Sequence, residues 1–503
     1  MSVADRRLYL AVAACAIAVY LGSLWNHWAW DDVPIIVYNP LLLSPAAVWR
    51  AFLAPYWPAQ MGGAMYRPIP IASYAIDLLL GRGGVAWFHG VNLLWHAAVS
   101  VAVAALARRW SGERAAWVAG LLFAAHPVHV EAVANVVGRA ELMAALFAVL
   151  AVYAALVRDA PWWSLAAFAC ALLSKENGAV VPALIGWGWV VGLARPPRHR
   201  LGLYVTSWVM LGVAYLAVRS AVLHPFARIK NIAAAFVGAS PLDIRLTAIA
   251  TLSDVARLLV FPLTLRVDYS PAERTLVTSV LDPRFLIGLG CAVAWGALIA
   301  LAWRHNRRVE AYGLGWIGIA LSPVANLLFP AGVLLAERTL YFPSIGLALV
   351  LGAWLPDFAP RRWVAVLGVL AVAGGVRTAL RVPVWRDDHA VILSEFGDSP
   401  RSFDGPARMV SVYLSAHQPA KALQAYRVAT AIYDRLPWVY MWGADAAFAA
   451  GQPQLADSAL ARLEQLCRGC AYYYRFEAGA AVARGDPAVA DSLLSRLPGT
   501  TLR

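Results

Sequence analysis

The chain has 503 residues, of which 61% are hydrophobic and only 14% charged. A water-soluble domain sits nearer half apolar and a quarter charged, so this composition excludes an ordinary soluble enzyme and points to a polytopic helical membrane protein. The net charge of +13 does not mark a nucleic-acid binder, because the basic residues fall in short loops between apolar runs, where the positive-inside rule puts them.

The first apolar run, Leu8 to Trp25, follows Arg6 and Arg7 and lacks a small-residue cleavage site. It reads as a retained signal-anchor helix. Next comes "WNHWAWDDVPIIVYNP" (25–40), in which two adjacent carboxylates, Asp31 and Asp32, stand just past a membrane-length segment. Ionisable groups at such a boundary are costly to desolvate and are functional candidates by default. The rest of the segment 26–85 reads as a long outer loop. Its "SPAAVWRAFLAPYW" suggests a short interfacial helix, with Ser44 as cap and Pro45 in the first turn.

The basic clusters are "DRR" (5–7), "RRWSGER" (108–114), "RPPRHR" (195–200), "WRHNRR" (303–308) and "PRRW" (360–363). Placing all of them in the cytoplasm gives spans near 8–25, 86–107, 114–126, 140–157, 162–174, 178–194, 201–219, 284–303, 311–329, 339–355 and 363–381. That is about eleven crossings, with the N-terminus inside and the C-terminus outside. Segment 241–261 carries Asp243, Thr247, Asp254 and Arg257 along one side and reads as an amphipathic helix at the outer interface. The third and fifth spans are short. The loops that follow them, beginning at His126 and at Lys175, are therefore expected at membrane depth, which is tolerated where a loop lines an enclosed polar cavity. Together with Asp31 and Asp32 they are expected to face one outward-opening pocket. The 22 tryptophans suit membrane interfaces first and sugar stacking second.

Residues 1–383 form the membrane part, and after Arg381 the composition turns soluble. "HQPAKA", "GQPQLA" and "GDPAVA" place Pro419, Pro453 and Pro487 at intervals of 34 residues, and Ala422, Ala456 and Ala490 likewise. That is the tetratricopeptide period, so 384–503 reads as a small stack of helix pairs, a structural cap or a groove for a peptide. Cys15, Cys170 and Cys291 lie in apolar helices as packing residues. Cys467 and Cys470 could form a disulfide or stay free thiols.

The outer loops hold the unusual chemistry. Arg67, Arg139, Lys175 and Arg338 each flank an apolar span on the outer side, against the positive-inside trend, and suggest an anionic ligand, with phosphate the natural one. Transfer from a lipid phosphate to a hydroxyl needs one general base, for which Asp31 or Asp32 is placed. His126, His129 and Glu131 are candidates for ordering the pocket, sugar or acceptor, as are Glu176, Glu337 and Tyr341. "HPVHVE" lacks the HExxH zinc spacing. No cofactor is expected; a divalent cation stays open as an alternative that the sequence does not itself indicate. Each cation also has a plain structural reading: Arg139 with Glu141, Lys175 with Glu176 and Glu337 with Arg338 could be internal pairs, and Arg67 could pair with the aspartates. His89, Asn92 and His96 share one helix face and read as structural contacts between spans.

The motifs "RPIPIASYAIDLLLGRGGVAWFHGVNLLWH" (67–96), "HPVHVEAVANVVGRAELMAALF" (126–147), "SKENG" (174–178) and "ERTLYFPSIGL" (337–347), followed by the repeats, resemble the transmembrane and tetratricopeptide-repeat-containing O-mannosyltransferases and their bacterial relatives. The resemblance implies an all-α GT-C membrane fold with the active site on the lumenal or periplasmic side; the chain then reads as an inverting glycosyltransferase of the plasma membrane that acts on its periplasmic face. It implies a polyprenyl-phosphate-linked sugar, typically mannose, as donor and a Ser or Thr hydroxyl of a protein or peptide as acceptor, which the repeats could hold. An acidic residue of the first outer loop acts as base in such enzymes; here that is "DD", with Asp31 favoured. The rival readings are a transporter or lipid-linked-sugar flippase, a transferase acting on a non-protein glycan, and a membrane-anchored repeat scaffold. Inverted repeats would favour the transporter, and none is visible.

Overall fold

A computed structural model of the chain describes residues 3–58, 63–195, 198–224, 232–260, 262–269, 271–357, 359–467, 471–483 and 486–495. Among them there are helices and no strand. Seven helices are long and apolar enough to cross a membrane, including Val3–Trp25, Val85–Ala124, Val136–Leu156 and Glu337–Asp357. The protein is an all-α, multi-pass membrane protein.

Helices are numbered here for those of eight residues or more. In the first half α1 is Val3–Tyr20, α2 Pro68–Gly81, α3 Val85–Ala124, α4 Arg139–Leu156, α5 Pro161–Ser174 and α6 Val181–Val190. They are followed by α7 Arg198–Leu223, α8 Pro241–Ala250, α9 Leu252–Val260, α10 Pro283–Arg304, α11 Arg308–Leu321, α12 Tyr341–Trp354 and α13 Pro360–Arg381. A helix coincides with each of the eleven expected spans. α3 contains two of them. Its backbone turns left-handed at Gly112 (φ 87°), a conformation that suits glycine. The chain then doubles back: a Cβ on Gly120 would lie 2.9 Å from that of Ala104. α5 and α11 have 14 residues each and rise about 21 Å, short of the roughly 30 Å apolar core of a bilayer.

Two features differ from the sequence reading. The segment 26–85 is not all loop: α2 is a 14-residue apolar helix inside it. Its start follows from Pro68 and Pro70 in the first turn, where a missing N–H costs nothing. The stretch after Ser44 makes only short turns, Ala47–Arg50 and Ala51–Leu53, with Trp49 and Leu53 exposed. Residues 241–260 form α8 and α9, of 10 and 9 residues.

α4, Glu337–Asp357 and α3 are the enclosed elements, with 61–78% of their apolar windows buried. The windows of α7, α10 and α13 are only 11–17% buried and present Leu and Val outward, as lipid-facing helices do. Loops gather at two ends. The basic loops meet one another: Arg108 pairs with Asp5, Arg200 with Asp159 (2.6 Å), Arg307 with Asp357 (2.6 Å), and Arg308 donates to the Gly192 carbonyl (2.9 Å). The loops around Asp31, Glu131, Lys175 and Arg338 gather separately.

The C-terminal part comprises α14 Asp388–Asp398, α15 Asp404–Ser415, α16 Pro419–Ile432, α17 Pro437–Ala449, α18 Pro453–Cys467, α19 Ala471–Ala483 and α20 Pro487–Ser495. Pro419, Pro453 and Pro487 each open the second helix of a pair. Ala422, Ala456 and Ala490 are buried, the small residues the helix contacts require. α16 and α17 approach so closely that a Cβ on Gly443 would sit 2.3 Å from the Tyr426 ring. Cys470 lies outside the described residues, so the pairing of Cys467 with it does too.

The charge pattern predicts the orientation. Alkaline phosphatase fused to the C-terminus is expected to be active in intact bacterial cells, where only a periplasmic fusion folds. An inactive phosphatase with a fluorescent cytoplasmic reporter at the same position would reverse the topology.

Candidate functional site

The site is built from short loops that close the ends of buried helices. Two of them depend on glycine for close approach. A Cβ at Gly138 would lie 2.2 Å from the Ala132 carbonyl oxygen, and one at Gly178 would lie 2.5 Å from the Ala171 carbonyl carbon. The loop 126–138 thus folds on itself, and the Lys175 loop folds back on α5.

The expected cations all find carboxylates. Arg67 gives Nε and Nη2 to Glu176 Oε2 (2.9 and 2.7 Å) and lies over the Tyr56 ring. Lys175 pairs with Glu141, and Arg338 pairs with Glu131, which also accepts the Arg338 backbone N–H (2.8 Å). Lys175 and Glu176 therefore do not pair with each other. Burial lowers the Lys175 ammonium's pKa; Glu141 opposes this, while Arg67 and Arg338 add to it. Three cations thus share one small space.

Arg139 differs from its expected role. It is fully buried and its guanidinium is engaged by Asp77, by Asn92 Oδ1 (2.7 Å), by Ser73 Oγ (3.2 Å) and by the Phe88 carbonyl (3.0 Å), over the Tyr74 ring. It locks α2 to α3 and α4 and presents no open face to a phosphate. Its partner Asp77, an acid inside the apolar run "SYAIDLLL", was the legible sign of this role.

The two aspartates have different surroundings. Asp32 is fully buried and accepts three backbone N–H groups, from Ala29 (3.2 Å), Val136 (3.4 Å) and Val137 (2.8 Å). Burial nevertheless pushes its carboxyl up to about 7. It ties the loop 29–32 to the loop 136–137. Asp31 is partly exposed, and its carboxylate has no hydrogen-bond partner among the described residues. Burial raises its pKa, while Arg338, Arg408 and Arg67 pull it back and Asp388 raises it further. So Asp31 faces the cation-lined space, and Asp32 shapes the loop that carries it.

The expected ring of pocket residues separates. His129 is fully buried and shares a hydrogen bond with Ser344 Oγ (2.7 Å); its ring packs against Phe123 and Tyr341. His126 Nε2 bonds the Leu259 carbonyl (2.9 Å), and burial lowers its pKa to about 4, so it is neutral at pH 7. The Tyr341 hydroxyl meets His96 Nδ1 (2.9 Å). His129 and Tyr341 are core, His126 is half-buried, and none of the three is hydrogen-bonded to Asp31. Glu337 accepts the Arg266 N–H (2.5 Å) and the Tyr269 hydroxyl (3.0 Å) and braces the loop beside it. Asn92 donates to the carbonyls of Val133, Asn135 and Val136, and His96 bonds Ala124, the structural contacts expected of that face. A separate cleft of about 330 Å³, lined by Thr247, Asp254, Glu273, Arg274, Arg284 and Arg401 among others, holds none of the expected site residues. Among the described residues no group of three His, Cys, Asp or Glu side chains is arranged to hold a metal ion.

No family model matches the chain, and no solved structure matches it. Several curated proteins do. Protein O-mannosyl-transferase TMTC4 of Homo sapiens is 28% identical over 462 residues, which cover 78% of this chain and 62% of that protein. Protein O-mannosyl-transferase TMTC3 of Mus musculus is 28% identical over 76% of this chain and 46% of its own length. Protein O-mannosyl-transferase Tmtc2 of Drosophila melanogaster is 35% identical over 159 residues, 30% of this chain and 17% of that protein. The chain thus spans less than two thirds of the length of these relatives.

The pair of Asp77 and Arg139 is expected to act on stability. Arg139→Met strands a buried carboxylate and should cost about 3–5 kcal/mol, and combining it with Asp77→Leu should recover part of that loss. Thermal unfolding in detergent reads this; a single variant that melts like the wild type contradicts the role.

Proposed function

Since the chain's homologues over most of its length are members of the protein O-mannosyl-transferase family, we propose that it is a membrane glycosyltransferase that moves mannose from a polyprenyl-phosphate-linked donor to a Ser or Thr hydroxyl of an extracytoplasmic polypeptide. The observation that carries this reading is the Asp31 carboxylate, which accepts no hydrogen bond among the described residues and is influenced by the charges of Arg338, Arg408 and Arg67. A partly buried carboxylate with a raised pKa is a stronger base, and the nearby guanidinium groups keep it ionised.

In the reaction the acceptor O–H proton passes to Asp31 as its oxygen attacks the anomeric carbon in line. The bond from that carbon to the phosphate oxygen breaks, and the phosphate leaves with the electron pair. Arg67, Lys175 and Arg338 can share that charge, since each holds its carboxylate with N–H groups to spare: a guanidinium has five and an ammonium three. Arg139 is not assigned to the phosphate, because its donors are engaged. Glu131, Glu141 and Glu176 orient the cations. Asp32 fixes the loop backbone.

Purified full-length protein with labelled polyprenyl-phosphate mannose and a Ser/Thr-rich peptide tests the reading. Asp31→Asn is expected to keep the fold and donor binding and to lose transfer by about 10²–10⁴-fold, and Asp32→Asn to lose less. Normal transfer by Asp31→Asn removes it as the base.

A second expectation concerns the donor. Arg67→Ala, Lys175→Ala and Arg338→Ala should each weaken donor binding or slow transfer by about 1.5–3 kcal/mol per lost charge-assisted contact. Unchanged binding and rate in all three would contradict the phosphate assignment.

A further inference from the structure

The loop that carries Asp31 is held from outside the membrane part. Trp30, the residue before it, has φ 59°. A bulky side chain in left-handed backbone is an outlier that persists only where surrounding contacts over-determine it. Those contacts come from the segment after α13. The Trp30 N–H donates to Asp388 Oδ1 (2.5 Å), at the start of α14. The Trp30 ring lies beneath the Arg408 guanidinium of α15, 3.5 Å from its centroid. Arg408 is itself aimed by Asp404 Oδ2 (2.5 Å), beside the buried Glu395. The preceding turn is tied to the same segment, His27 N–H to the Arg386 carbonyl (2.7 Å) and Asn26 Nδ2 to the Trp385 carbonyl (3.1 Å).

We infer that Arg408 and Asp388 are positioning residues for Asp31: the first helices of the C-terminal part clamp Trp30 in its left-handed conformation and so aim the neighbouring carboxylate into the cation-lined space. The inference rests on the reading of Asp31 as the base. It gives this part of the chain a role that neither a passive cap nor a peptide groove has, because transfer to the smallest peptide depends on it.

The clamp also carries charge. Asp31 is faced by Arg338 and Arg67 from the membrane part, by its neighbour Asp32, and by Arg408 and Asp388 from α15 and α14. A cation favours the ionised carboxylate and an anion disfavours it. Losing Arg408 should therefore raise the Asp31 pKa, and losing the Asp388 charge should lower it. A base works only when ionised, so the acid limb of kcat/KM follows Asp31 in both cases.

The test uses full-length protein in detergent and a short peptide acceptor. Arg408→Gln is expected to move the acid limb up by about one pH unit and to speed amide exchange over residues 27–38. Asp388→Asn keeps an oxygen for the Trp30 N–H and should move the limb down with exchange unchanged. Arg408→Lys, which keeps the charge, should return the limb towards the wild-type position. Exchange at 27–38 that is unchanged in Arg408→Gln overturns the clamp, and so does a limb that stays put or moves the same way in both charge-removing variants. A wild-type protein that transfers no mannose defeats the proposed function instead; the exchange comparison then decides the clamp alone.

Discussion

A charge taken out of water at the end of a membrane bundle must find a partner, and that constraint organises this protein. Four pairs answer it: Arg139 with Asp77, Lys175 with Glu141, Arg338 with Glu131 and Arg67 with Glu176. Each joins residues from different elements, so together they fasten α2, α4, the turn after α5 and the turn before α12 at one end. The attraction within such a pair roughly offsets its desolvation, but breaking it leaves an orphan charge, which makes the arrangement specific more than stable. Side chains that a reading of single loops would leave open to a ligand are largely the braces of the cavity.

Against that background the adjacent aspartates separate by environment. Asp32 sits among three backbone N–H groups and acts as a strut between two loops. Asp31 carries the same chemistry one residue earlier but lacks such partners, and its charge is balanced at a distance by guanidinium groups. A structural carboxylate is consumed by its hydrogen bonds; a reactive one has lone pairs to give. The same contrast divides the cations: Arg139 is enclosed by four partners, whereas Arg67 and Arg338 stay partly exposed.

The histidines follow the same logic at lower cost. His96, His126 and His129 pack with Phe123 and Tyr341 in an aromatic layer; their bonded ring nitrogens meet a carbonyl or hydroxyl, except His126 Nδ1, which accepts the Val128 N–H. An HxxH spacing with a following glutamate suggests ligand binding when read in one dimension. In three dimensions His96 and His126 each bond a backbone carbonyl and His129 bonds a hydroxyl.

Periodic and compositional features were decided by the sequence alone. The apolar runs placed a helix at every expected span, and the 34-residue spacing of Pro419, Pro453 and Pro487 marked helix starts, because burial and backbone stiffness are local properties. The two short spans led to the expectation that the loops beginning at His126 and Lys175 meet the segment of Asp31 and Asp32, and the bonds of Val137 to Asp32 and of Arg67 to Glu176 join those loops to the first outer segment. The helix α2 was missed because its apolar run of 14 residues falls short of a membrane span, so length argued against it. Only the tertiary structure decided which charge pairs with which, that Arg139 and His129 are core, and that Trp30 is bent left-handed beneath Arg408. Those outcomes depend on contacts between residues up to several hundred positions apart, such as Trp30 and Arg408, and no local spacing encodes the distance at which two side chains meet.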